Sequence, residues 1–244
     1  MSRTIYQNKM NKVSNMIKIE RRNIYVLAAT LLLFSCGNSN QPKLSLPLLE
    51  KEIKVDGVID KGEWEQAILF EKLVAPWKEN SQDKTTFRAF ISANAFNFAF
   101  QVRDNTVTTV PFENELSVES EDRVELFFSS DTTLAKYYCI EIDPNGNVLD
   151  YSAKYYREFN QSWNFNSKDL ASKITDNGYI VEGKISLNEL NELGISNPFY
   201  LAIFRADFKS NMADDVTWYS WIKPKSSAPD FHIPSAFGKT ELKE

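Results

Sequence analysis

Histidine, cysteine and long apolar runs are scarce in this 244-residue chain, and each shortage removes a class of function. Around one histidine, His232, no Ser-His-Asp or Cys-His arrangement can be assembled from sequence. A zinc site there would lack imidazole or thiolate partners. Two cysteines, Cys36 and Cys139, are too few for a multi-thiolate metal centre. No apolar stretch reaches the roughly 20 residues of a spanning helix. Positive charge is also short, with 28 Lys and Arg against 33 Asp and Glu. A polyphosphate partner would meet repulsion, which argues against nucleic acid.

The one short apolar run, residues 24–34, is informative because Lys18, Arg21 and Arg22 precede it. It ends in Leu33-Phe34-Ser35-Cys36-Gly37, which resembles a bacterial lipobox. Residues 1–35 therefore read as a signal peptide of lipoprotein type, cut before Cys36, whose sulfur would carry a diacylglyceryl group. An uncleaved anchor is the alternative. The polar stretch before Met16 is long for an n-region, so Met1, Met10 and Met16 are all candidate starts. The implied location is the envelope of a bacterium, with a lipid anchor on its membrane. Without residues 1–35 the chain keeps 22 basic and 32 acidic residues, a net charge of −10. Cys139 is then the lone thiol, expected to behave as a small strand residue. Residues 36–47 read as a polar tether and residues 48–244 as one domain.

What fills that domain is β-structure. Short runs rich in Phe, Tyr, Val and Ile recur between turn residues, predicting an all-β, two-sheet antiparallel sandwich of immunoglobulin-like or jelly-roll type with short helical turns. Strands are expected at 86–92, 96–103, 123–128, 137–142, 148–156, 179–186, 200–208 and 217–222. Asn94, the Asp143-Pro144-Asn145-Gly146 run and Asp176-Asn177-Gly178 mark the turns. Helical turns are expected at 62–67 and 187–193, with Trp64 plugging one end of the sandwich.

Period-two counting on these strands gathers Arg123, Glu125, Glu141, Glu182, Lys184, Arg205 and Asp207 onto one sheet face. Charges of both signs on strands suit hydrogen bonding to sugar hydroxyls; a solvated face laced with cross-strand salt bridges is the plain alternative. The expected ligand contacts are Arg123, Glu125, Arg205 and Asp207, with Phe231, Trp221 and Trp163 as stacking surfaces. Phe231 lies between Pro229 and Pro234, a rigid turn expected to hold its ring outward. His232 reads as a structural histidine. Glu119, Glu121 and Asp122 have the oxygen donors that calcium favours, without an EF-hand pattern.

The segment from Val55 to Trp64, Val-Asp-Gly-Val-Ile-Asp-Lys-Gly-Glu-Trp, resembles the opening of carbohydrate-binding module family 9. Residues 121–128, 178–185 and 234–242 match later blocks of that family in order. The likeness runs over about 48–242 and is nearest to lipoproteins of Bacteroidetes type. It implies a sandwich that grips sugar chain ends between two tryptophans, with polar strand residues on the hydroxyls and calcium ions stabilising loops. By that resemblance a family glutamate falls on Glu125, strand polars on Arg205 and Asp207, and one clamp tryptophan on Phe231. The other falls near Glu119, where no aromatic stands, and a family arginine falls at Cys139. The implied function is non-catalytic binding of poly- or oligosaccharide in carbohydrate catabolism. A glycoside hydrolase, or a module attached to one, is the alternative; a haem-binding sandwich with His232 and Met212 as axial pair is a second.

Overall fold

The structure, a computed structural model, describes residues 42–82, 84–210, 212 and 215–243. The expected signal peptide and Cys36 lie outside the described residues. Strands are β1 (Lys43–Leu46), β2 (Ile68–Glu71), β3 (Thr85–Ile91), β4 (Ala95–Arg103), β5 (Arg123–Ser129), β6 (Tyr137–Ile142), β7 (Val148–Lys154), β8 (Glu158–Asn160), β9 (Asp169–Thr175), β10 (Gly178–Ser186), β11 (Phe199–Phe208), β12 (Val216–Ser220) and β13 (Gly238–Leu242). Two short helices, α1 (Lys61–Trp64) and α2 (Leu187–Glu192), begin at Asp60 and Ser186, whose side chains accept from the backbone N–H two residues on. No helix among the described residues is long and apolar enough to cross a membrane.

Eight strands form one sheet in the order β1-β13-β11-β5-β6-β7-β8, with β12 also pairing β11; five form the other, β2-β3-β4-β10-β9. Every pairing is antiparallel except β1 with β13. This is the expected β-sandwich. The last part of the expected tether is β1: Leu46 is buried against the core, and the backbone of Lys43–Leu46 pairs with Lys239–Leu242. The edge strands β2, β8 and β9 and the inner strand β13, which lies between β1 and β11, fall outside the expected strands, being short or interrupted by polar residues.

Between the sheets, Phe87, Phe96, Phe98 and Phe100 meet Val124, Leu126, Phe128, Ile140 and Ile203 in the main core. Gly178 closes the β9–β10 turn at φ 136°, where an added Cβ would lie 2.0 Å from the Val102 carbonyl oxygen, so only glycine fits.

Both sheets are covered on their outer faces as well. The segment before β2 lays Ile53 and Trp64 over Phe90 and Ala99, on the outer side of the smaller sheet. Trp64 thus covers a face instead of plugging an end. The buried carboxylate of Glu182 holds this flap, accepting from Trp64 Nε1 at 2.8 Å and from the backbone N–H groups of Asp56 at 2.9 Å and Gly57 at 3.1 Å. On the larger sheet, Phe231, Ala236 and Phe237 of the segment after β12 cover Phe127, Tyr137, Cys139 and Phe204. That second cover explains why β5 and β6 are buried along their whole length.

Candidate functional site

A concavity of about 270 Å³ opens on the outer face of the larger sheet, at the edge of this C-terminal cover. Its floor is built by register. Glu125 on β5 stands directly opposite Glu141 on β6, and Phe204 on β11 flanks Glu125 from the other side. Arg123 pairs with Ala206, which pairs in turn with Trp218 on β12. Alanine at 206 leaves room for the Trp218 ring, 5.2 Å from the Arg123 guanidinium carbon.

Two carboxylates directly opposite on a sheet repel unless something lies between them. Arg123 does so here. Its Nε donates to Glu141 Oε2 at 2.6 Å and lies 2.9 Å from Glu125 Oε1, while Nη1 donates to the Glu119 carbonyl at 3.1 Å. Tyr151 donates its hydroxyl to the other Glu141 oxygen at 2.8 Å. Glu125 fares worse: it is 2% exposed, and the Arg123 contact lacks hydrogen-bond geometry, so Oε1 accepts no hydrogen bond. Burial, with the Glu141 charge adding and Arg123 opposing, pushes Glu125 up to about 8. Burial alone would lower the Arg123 pKa, yet the charges of Glu141 and Glu125 raise it above its ordinary value.

The walls come from loops. Phe159 and Gln161 stand on and after β8, Glu119 on the 3₁₀ turn Glu115–Ser120, and Asp230, Phe231 and His232 on the C-terminal cover. Asp230 ties the walls together, accepting from the Tyr156 hydroxyl at 2.7 Å, Arg157 Nη1 at 3.3 Å and the His232 N–H at 3.0 Å.

Of the expected site residues, the structure brings Arg123, Glu125 and Phe231 together. Phe231 does not hold its ring outward: it is 7% exposed and stacks on Phe204 with centroids 3.8 Å apart. The open aromatic surface is Trp218 and Phe159, the latter 41% exposed. Trp163 packs on Tyr138 and Phe165 at the rim of the main core, drawn there by that apolar pair. Trp221 packs against Phe70 and over Gly238, where an added Cβ would sit 2.5 Å from its ring. Neither ring lines the concavity.

Arg205 and Asp207 do not share a face with Arg123 and Glu125. Arg205 pairs with Val124, so it points between the sheets with Leu201 and Ile203. There its Nη2 reaches Asp104 at 2.5 Å and Asp207 at 3.2 Å, while Lys209 reaches Asp207 at 2.7 Å. Glu182 and Lys184 stand on the outer face of the other sheet, the former under Trp64. The expected row of charges is therefore split among three places.

Calcium, which the family likeness implies, finds a poor fit. Glu119, Glu121 and Asp122 do not converge: Asp122 accepts from the Thr108 and Phe208 N–H groups, Glu121 from that of Val110, and Glu119 faces the concavity. Asp104, Asp122 and Asp207 do bring oxygens within 4.8 Å of one another, but Arg205 and Lys209 already neutralise that cluster. His232 is held by packing on Phe127, with Nδ1 3.1 Å from the Tyr137 hydroxyl. Burial and the nearby Arg157 charge lower its pKa to about 3, so it stays neutral. Met212 is 67% exposed on the β11–β12 connection.

A two-sheet sandwich with a concave floor of paired charges and aromatic walls defines a binding module. The sequence model of the carbohydrate family 9 binding domain-like family matches residues 55–244, and the chain belongs to that family. Among solved structures it is similar to a candidate carbohydrate-binding protein from Bacteroides uniformis ATCC 8492, at TM-score 0.67 and 14% identity over 83% of this chain and 100% of that one. It is similar also to a carbohydrate binding module family 9 from Caldicellulosiruptor kristjanssonii in complex with cellotriose, at TM-score 0.55 and 14% identity over 83% and 94%. A glucose complex of a family 9 module from the same organism gives TM-score 0.53 and 17% identity over 83% and 96%. No curated protein sequence matches.

Proposed function

We propose that this protein binds carbohydrate, without catalysis, in the concavity between Arg123, Glu125, Phe159, Trp218 and Asp230. The observation that carries the reading is the buried Glu125 oxygen, ion-paired with Arg123 but accepting no hydrogen bond, at the floor of a concavity that also presents aromatic rings. Sugars pair apolar ring faces with hydroxyl donors, and this floor and these walls offer both counterparts. At about 270 Å³ the space is just below the usual range of small-molecule pockets, so it takes one terminal unit. Tyr155 and Tyr156, each 51% exposed, continue the aromatic surface beyond Arg157 and would carry the next unit. Family membership supports the same reading, as do the cellotriose and glucose held by the Caldicellulosiruptor modules.

The module's setting completes the proposal. Residues 1–36 would deliver it to the envelope of a bacterium and anchor it there by a lipid on Cys36, poised to capture polysaccharide for breakdown by partner enzymes. Titration calorimetry with cello-oligosaccharides tests the site: Trp218→Ala and Phe159→Ala should each weaken binding about tenfold or more. Unchanged affinity in both variants would place the ligand elsewhere. Cys36→Ser should move the protein from the membrane to the soluble fraction; an unchanged distribution would refute the anchor.

A further inference from the structure

Resting on the carbohydrate reading above, we propose that the preferred ligand is a saccharide carrying a free ammonium group, a 2-amino-2-deoxy sugar unit. The argument is one of charge and donor counting around the concavity. Four carboxylates face it, from Glu119, Glu125, Glu141 and Asp230, against two guanidiniums, Arg123 and Arg157. Arg157 is taken by Asp230, and Arg123 is shared between Glu125 and Glu141. Among the described residues the Glu119 carboxylate makes no ion pair or hydrogen bond. With Glu125 holding its proton below about pH 8, three charged carboxylates face two guanidiniums, an excess of one negative charge.

Much of the donor capacity at the floor is already committed. Arg123 Nε and Nη1 are engaged, the Tyr151 hydroxyl is given to Glu141, and His232 Nδ1 lies against Tyr137. An unused acceptor remains at Glu119, and the buried Glu125 Oε1 has the Arg123 ion pair but accepts no hydrogen bond. A neutral sugar supplies donors but leaves the charge unbalanced, and an acidic sugar adds to it. An ammonium supplies three N–H donors and the missing positive charge together, and the rings of Phe159 and Trp218 favour a cation over their faces. Burial, with the Glu141 charge adding to it, raises the Glu119 pKa in spite of both arginines.

Calorimetry on the protein with three chain-matched β-1,4 oligosaccharide series, of glucose, N-acetylglucosamine and glucosamine, tests the proposal at a pH where the amine is charged. The glucosamine series should bind about tenfold or more tighter than the glucose series. Glu119→Gln should erase most of that preference while the glucose series changes less. Glu192→Gln, an exposed glutamate on α2, should leave it intact, separating the site from the general acidity of the chain. Glucuronate oligomers should be the weakest ligands. Equal binding of the glucose and glucosamine series, or a preference untouched by Glu119→Gln, would overturn this proposal and leave the carbohydrate reading standing. Binding to none of the series would overturn the carbohydrate reading itself.

Discussion

Replacing Glu125 by glutamine keeps the shape of the concavity's floor and removes its proton equilibrium. In the folded protein Glu125 titrates near 8, against an ordinary value of 4.5, because burial and Glu141 disfavour its charge. Between pH 4.5 and 8 the native state therefore keeps a proton that the unfolded chain has lost. Stability must fall as pH rises through that window, by about 1.4 kcal/mol for each pH unit in which the difference is complete. Below 4.5 the carboxyl is neutral in both states and the penalty vanishes; above 8 it is fully present. Over the window the wild type should lose about 3–5 kcal/mol through this residue, a loss Glu125→Gln escapes. Urea midpoints for both proteins at several pH values measure it. Other buried acids such as Glu121 and Asp122, both raised to about 7, tilt the two curves alike and cancel in the difference. The variant's advantage should grow from pH 5 to 8; parallel curves would refute the electrostatic account of the floor.

Other consequences separate the site from its scaffold. Arg205→Ala, which leaves Asp104 and Asp207 buried without their guanidinium, should destabilise by about 3–5 kcal/mol in urea unfolding, with sugar affinity unchanged. Phe231→Ala should lower both stability, by about 3–5 kcal/mol, and affinity, because the ring packs on Phe204 and also lines the concavity. Trp163→Ala should cost stability alone, measured by the same two assays. Gly238→Ala drives a methyl toward the Trp221 ring and should cost about 1–3 kcal/mol in thermal or urea unfolding.

How far the sequence carried the reading depends on where alternation survives. Strands β5 and β6 were legible because charges alternate with aliphatics, so Arg123, Glu125 and Glu141 fell correctly on one face. On β11 both faces are apolar, with Leu201 and Ile203 inward and Ala202 and Phe204 outward, since the sheet is covered on both sides. Its register against β5 was needed to show that Arg205 points inward. Trp218 could have been found from its neighbours: Thr217 and Tyr219 face inward, which turns Trp218 toward Arg123. The cover formed after β12 was not legible, because its Pro and Ser residues read as a solvated loop. Without it Phe231 has no reason to stack on Phe204, and the charged face has no reason to be buried.

The most direct test of the account is a crystal structure of the protein with a bound oligosaccharide. A sugar unit should lie against Trp218 and Phe159 with a polar group on Glu125. A ligand bound only in the other polar hollow, beside Lys84, Arg103 and Lys209, with the Glu125 concavity empty, would contradict it.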